Sequence, residues 1–176
     1  MKPSYRRPLA FAGLLFASLV HAQEVLPWTF GMSLDEVRAV SAFGPYRAFS
    51  NGDLETYKGP WDGKDENVQF YFTAGHLHRI SYCFYEGTDP GEAATRWAVL
   101  RSSMQRHFGP LETPGNDAKA TAQFQAVAQT SVSSGARNFM TPVSPTKDKP
   151  VFAIFKREQI QGQWLYFVTL HFDPPP

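Results

Sequence analysis

The chain has 176 residues and a single cysteine, with 17 basic against 16 acidic side chains for a formal net charge of +1. The length suits one domain, or two small units sharing a core. A near-neutral balance argues against nucleic acid and anionic membrane surfaces, both of which want a basic patch, and one cysteine excludes an intramolecular disulfide.

Residues 1–22 pair a basic start (Lys2, Arg6, Arg7) with an apolar stretch from Leu9 to Val20 and close on Val20-His21-Ala22. That pattern predicts a signal peptide cleaved near Ala22–Gln23, and so a periplasmic or secreted protein that is soluble after export. The apolar stretch is too short to span a bilayer core of ~30 Å, and no later stretch is long and apolar enough. The leader holds three basic residues and no acidic one, which leaves the remainder at −2. No cysteine follows it, so a lipid-bearing N-terminus is not encoded.

A first unit is expected over 23–87. Ser33 and Glu36 form a capping box, with Met32 and Val37 at the positions of a hydrophobic staple. Leu34, Val37 and Val40 recur at helical spacing before Phe43-Gly44-Pro45 stops a helix of two to three turns. The period then switches to two. Residues 53–59 are a candidate strand, and the polar run 60–67 reads as a loop. Residues 68–73 alternate Val68, Phe70 and Phe72 against Gln69, Tyr71 and Thr73, and a turn at Ala74-Gly75 returns the chain through a partner strand to Gly87.

A second unit is expected over 88–173. Asp89-Pro90-Gly91-Glu92 is a helix start with proline at the first helical position. Ala93, Trp97, Leu100, Met104 and Phe108 form one apolar stripe, and Phe108-Gly109-Pro110 ends the helix. Residues 118–133 alternate alanines with polar residues and read as a strand. A second hairpin runs through 151–158 and 164–172 about a turn at Gln161-Gly162, and residues 174–176 are a tail with no donors for a sheet. The fold expected is α+β: tandem α-β-β-β repeats sharing one core, with helices packed on one face of an antiparallel sheet.

Gly31-Met32-Ser33 with Glu36-Val37, followed by Phe43-Gly44-Pro45 and the aromatic strand 69–72, resembles the start of BamE/SmpA-like envelope modules and the related tandem fold of beta-lactamase inhibitor proteins. The resemblance implies helices on one face of an antiparallel sheet and a surface that binds other proteins. It covers mainly residues 30–73. The chain lacks the lipid-bearing cysteine of the former and the disulfides of the latter.

No catalytic motif has the required spacing. A Gly-x-Ser-x-Gly elbow is absent, as are His-Glu-x-x-His and a phosphate-cradling glycine loop. Cys83 sits in an apolar run and reads as a buried small hydrophobe. His76 and His78 are two apart on a strand, but a zinc site needs three or four converging ligands. Asp62, Asp65 and Glu66 read as acids solvating a loop. No catalytic, cofactor or metal residue is therefore assigned.

What remains is surface. Tyr57, Tyr71, Arg79 and Tyr85 are expected opposite the helices, and aromatics with arginine are the residues that anchor protein interfaces. Residues 133–149 read as a long loop, with Arg137, Asn138, Phe139 and Met140 as contact residues. The function expected is an exported, non-enzymatic protein-binding module: an inhibitor, an immunity factor or an envelope-assembly accessory whose partner is another envelope or secreted protein. Two readings stay open beside it. One is a small periplasmic hydrolase, metal-dependent or not, around His76, His78, Asp65 and Glu66. The other is a carrier of an apolar ligand.

Overall fold

The computed structural model describes residues 26–112, 139–145 and 150–175. In chain order they form α1 (Leu34–Ala39), a 3-10 turn (Ser41–Phe43), β1 (Arg47–Ala48), β2 (Leu54–Trp61), β3 (Lys64–Thr73), β4 (His76–Gly87), α2 (Pro90–Phe108), β5 (Leu111–Glu112), β6 (Phe139–Pro145), β7 (Val151–Ile160) and β8 (Gln163–Phe172). The strands join in one eight-stranded sheet, ordered β1-β2-β3-β4-β8-β7-β6-β5, and every neighbouring pair is antiparallel.

This corrects the expected tandem α-β-β-β repeat. The protein is mostly one antiparallel sheet, and among the described residues α2 is the one helix longer than six residues. α1 forms its capping box, with Ser33 Oγ accepting from the Glu36 N–H and the Glu36 carboxylate accepting from the Ser33 N–H. It nevertheless stops at Val40, whose backbone leaves the helical region (φ −76°, ψ 64°). So short a helix persists only by packing, here through the fully buried Val37. The two Phe-Gly-Pro segments are not equivalent either. Gly109 closes α2 with φ +82°, whereas Gly44 follows the 3-10 turn in extended backbone (φ −78°, ψ 170°). The strand expected over 118–133 lies outside the described residues, as does the leader.

Three hairpins use the same device. Asp62-Gly63, Ala74-Gly75 and Gln161-Gly162 each place two successive residues at positive φ, which matches the twist of the strands they join. The polar run 60–67 is therefore not a loop: Pro60 and Trp61 end β2, and β3 begins at Lys64, two residues after the turn opens. Part of the long loop expected over 133–149 is likewise strand β6. Pro142 and Pro145 lie within it, and β6 pairs fully along one side only, with β5 meeting it at Ser144 and Pro145. Proline is tolerated at such an edge.

α2 buries the whole predicted stripe, Ala93, Trp97, Leu100, Met104 and Phe108. The stripe meets the inner face of the sheet, built by Val68, Ile80, Tyr82, Phe155, Val168 and Leu170. Asp89 caps the helix through the N–H groups of Gly91 and Glu92. The same face is closed toward β2 and β3 by Trp28. Its ring stands edge-on to Phe70 at 4.7 Å, leans on Phe43 at 5.4 Å, and donates its indole N–H to Tyr46 Oη.

Candidate functional site

The outer face of the sheet, which no described element covers, collects the other half of each strand's alternation. Register places Arg47 beside Glu55, Glu55 beside Gln69, Gln69 beside Ser81, Ser81 beside His171, and His171 beside Phe152. One row thus crosses six strands. A second row sets Asn67 beside Cys83, Cys83 beside Thr169, and Thr169 beside Ile154. Tyr71 and Arg79 form a third pair at the β3–β4 end.

The polar groups of this face are tied to one another. Arg79 grips Asp173 with two hydrogen bonds, at 2.6 and 2.8 Å, and its guanidinium lies over the Phe152 ring at 5.7 Å. Tyr71 donates to Gln69 Oε1 at 2.6 Å. His171 is held by Ser81 Oγ on Nδ1 (2.7 Å) and Thr169 Oγ1 on Nε2 (2.8 Å), with Phe152 stacked on the ring at 4.8 Å. Burial holds the His171 pKa down to about 4; the Arg79 charge pushes the same way and Asp173 opposes it. The imidazole is therefore neutral near pH 7. Tyr71 titrates above its ordinary value, first because it is half-buried and then because of Asp53.

The predicted contact residues separate on inspection. Tyr71 and Arg79 are cross-strand neighbours. Tyr57, 57% exposed, stands at the β2 bulge with Arg47 over its ring at 5.6 Å. The Tyr85 hydroxyl is engaged within the chain. Beside the β4 bulge, it accepts from the Asp89 N–H and donates to the Asp89 carbonyl, both at 3.0 Å, so it staples β4 to the start of α2. Met140 pairs in register with Lys156, and Phe139 with Arg157. Arg137 and Asn138 fall outside the described residues.

The other candidates resolve individually. His76 Nδ1 is 3.0 Å from the Gly31 carbonyl oxygen, and His78 Nδ1 is 3.0 Å from Thr73 Oγ1, so each ring is engaged on its own. Among the described residues no three His, Cys, Asp or Glu side chains converge as a metal site. Cys83 faces outward beside Thr169, and burial, followed by the Glu86 charge, pushes its thiol up to about 11. A thiol so rarely ionised is a weak nucleophile.

One cluster was not legible as such. Asp62, in the β2–β3 turn, accepts hydrogen bonds from Ser103 Oγ (2.5 Å), Arg106 Nη2 (2.8 Å) and His107 Nε2 (2.7 Å) of α2. Trp61 Nε1 donates to the same Ser103 oxygen at 2.9 Å. Serine, histidine and aspartate meet here, but both Ser103 and His107 bond to the carboxylate, and the buried Ser103 oxygen is already committed as donor and acceptor. That leaves no base positioned on a nucleophile. Burial alone would raise the Asp62 pKa; the hydrogen bonds from Ser103 and His107, with the charges of His107 and Arg106, outweigh it and hold the carboxyl below its ordinary value. The only sequence signal was a spacing of four between Ser103 and His107, one face of one helix.

No helix among the described residues is long and apolar enough to cross a membrane. No family model, no curated protein and no solved structure matches the chain.

Proposed function

We propose that the protein is an exported, non-enzymatic binding module that docks another envelope or secreted protein on the outer face of its sheet, as an inhibitor, an immunity factor or an assembly accessory. One observation carries the reading: the row from Arg47 to Phe152 crosses six strands, and its stretch from Gln69 through Ser81 and His171 to Phe152, with Tyr71, Arg79 and Asp173 beside it, is already ordered by hydrogen bonds and stacking. A surface whose side chains are held in place loses little rotamer entropy when a partner covers it. Tyrosine, phenylalanine and arginine are also the types that carry most interface energy. The likeness of residues 31–37, 43–45 and 69–72 to BamE/SmpA-like modules supports the same reading, and the leader-like pattern of residues 1–22 supports export.

The test is a crosslinked pull-down of the chain from Gln23 to Pro176 out of its own periplasm, read by mass spectrometry. One dominant protein is expected, and it should be lost with the Tyr71→Ala/Phe152→Ala double variant while that variant keeps its fold by circular dichroism. A partner retained by the double variant would move the interface elsewhere. No partner under several crosslinking conditions would end the reading.

A further inference from the structure

A cleft of about 210 Å³ opens on the helix-bearing side, between the β2–β3 hairpin and the C-terminal half of α2. Its floor is aromatic and apolar: the Trp61 indole, Phe84 and Leu100. Trp61 and Phe84 pack at 5.9 Å in an edge-on contact, so the floor is a fixed corner. Val99, 59% exposed, forms an apolar lip.

The rim is cationic. Lys64 and Arg96 stand on it, along with Arg106, which is bonded to Asp62. Arg96 is 46% exposed on its side chain, and its ion pair with Glu92 is stretched to 3.8 Å, which leaves its planar fork of donors available to a closer acceptor. Glu66 lines the same cleft. Burial raises its pKa, and the charges of Arg96 and Lys64 pull it back.

An aromatic corner below two cationic side chains selects for a molecule with a flat apolar body and one anionic end. The volume lies under the ~300 Å³ at which pockets for drug-sized ligands begin, so a single ring fits and a larger scaffold does not. Inorganic phosphate would leave Trp61, Phe84 and Val99 wet, and its second charge would meet Glu66. A carboxylate matches the guanidinium fork edge to edge with a single charge.

We propose that this cleft binds a small aromatic carboxylate, its ring on Trp61 and Phe84 and its carboxylate between Arg96 and Lys64. Glu66 competes with the ligand for the same cations and so sets the affinity. The site is on the opposite side of the sheet from the docking face and does not depend on it.

The test is a titration of the protein with phenylacetate, phenylacetamide and inorganic phosphate, followed by heteronuclear NMR at the Trp61 indole N–H and by calorimetry. Phenylacetate should shift that signal saturably, and the neutral amide should bind about tenfold more weakly or worse, the effect of losing one charge-assisted contact. Phosphate should leave the indole unmoved. Arg96→Gln, at an exposed position, should weaken phenylacetate binding by about tenfold with an unchanged melting temperature, whereas Glu66→Gln should tighten it by about threefold or more. Opposite signs from two neighbouring substitutions are what a merely structural role would not give. The proposal is overturned by no saturable shift up to about 20 mM, by equal affinity for acid and amide, or by no response to Arg96→Gln. Phosphate binding as well as phenylacetate would mark an adventitious anion only, and would overturn it too.

Discussion

The inner and outer faces of this sheet are made by the same strands, residue by alternate residue, and they are held in different ways. Inside, Val68, Phe70, Ile80, Phe155, Val168 and Leu170 are fully buried under α2 and Trp28 and interact by shape and area. Outside, Ser81, His171, Thr169, Arg79 and Asp173 are joined by directed bonds of 2.6 to 2.8 Å, with Phe152 laid over them. The inner face should therefore answer to changes of volume. The outer face should answer to pH and to single polar deletions.

The largest expected effect tests the inner face. Phe70→Ala should destabilise by about 3–5 kcal/mol, because it removes the ring against which Trp28 stands and leaves a cavity. Phe152→Ala on the outer face, half-buried and with no layer above it among the described residues, should lose about 1 kcal/mol. Urea denaturation of the two variants decides the matter. Comparable losses would mean that the outer face is also covered.

The next effect belongs to the outer face alone. His171 titrates near 4 in the folded chain against about 6.5 unfolded. Its neutral form is bound by folding, so stability is complete above about pH 6.5 and falls as pH drops toward 4. The loss is at most about 3 kcal/mol, trimmed by partial exposure. His171→Gln should flatten that window in a series of denaturation curves. A slope that survives in the variant would assign the titration to another group. Asp62, whose pKa is lowered, acts in a separate window: its contribution stands above about 3.9 and is lost as pH falls through its folded value.

These two windows also mark what could be read from the chain. The strand alternation, both helix starts, the α2 stripe and the Ala74-Gly75 and Gln161-Gly162 turns rest on local chemistry, and each is present. The tandem repeat was expected from two helix starts, two Phe-Gly-Pro exits and two sets of strands. It failed because the strands join in one antiparallel sheet and the first exit closes a 3-10 turn after a six-residue helix while the second ends a long one. The site behaved likewise. Alternation placed Tyr71 and Arg79 on one face, where they are cross-strand partners, since a strand keeps its faces until a bulge interrupts it. Tyr85 was expected on the same face, but a bulge falls between Cys83 and Tyr85 and its hydroxyl bonds to Asp89, a tertiary detail with no local signature. Asp62 is more than forty residues from both Ser103 and His107 in sequence, and only the packing of α2 on the sheet brings them together.

The Asp62 cluster gives a third, smaller effect. Asp62→Ala should cost about 2 kcal/mol, because it strands the buried Ser103 hydroxyl and forces alanine into the left-handed backbone of the turn. Asp62→Asn should cost about 1 kcal/mol, since asparagine accepts that geometry and one acceptor oxygen remains. Equal melting temperatures for the two variants would show that charge, rather than turn geometry, dominates.

The smallest effect draws the sharpest line between docking and scaffolding. Tyr85→Phe removes only the hydroxyl that links β4 to the first turn of α2, so it should lower stability by about 1 kcal/mol and leave partner affinity unchanged. Tyr71→Phe removes an equally small group from the outer face, where Gln69 is its acceptor. It should leave stability within about 0.5 kcal/mol, because Gln69 is half-buried and can turn to water. Partner affinity, measured on the protein recovered by crosslinking, should fall. If Tyr85→Phe weakened the partner and Tyr71→Phe did not, the interface would lie at the β4–α2 junction, around the acids Glu86 and Glu92, and the outer face would be a scaffold finished with polar pairs.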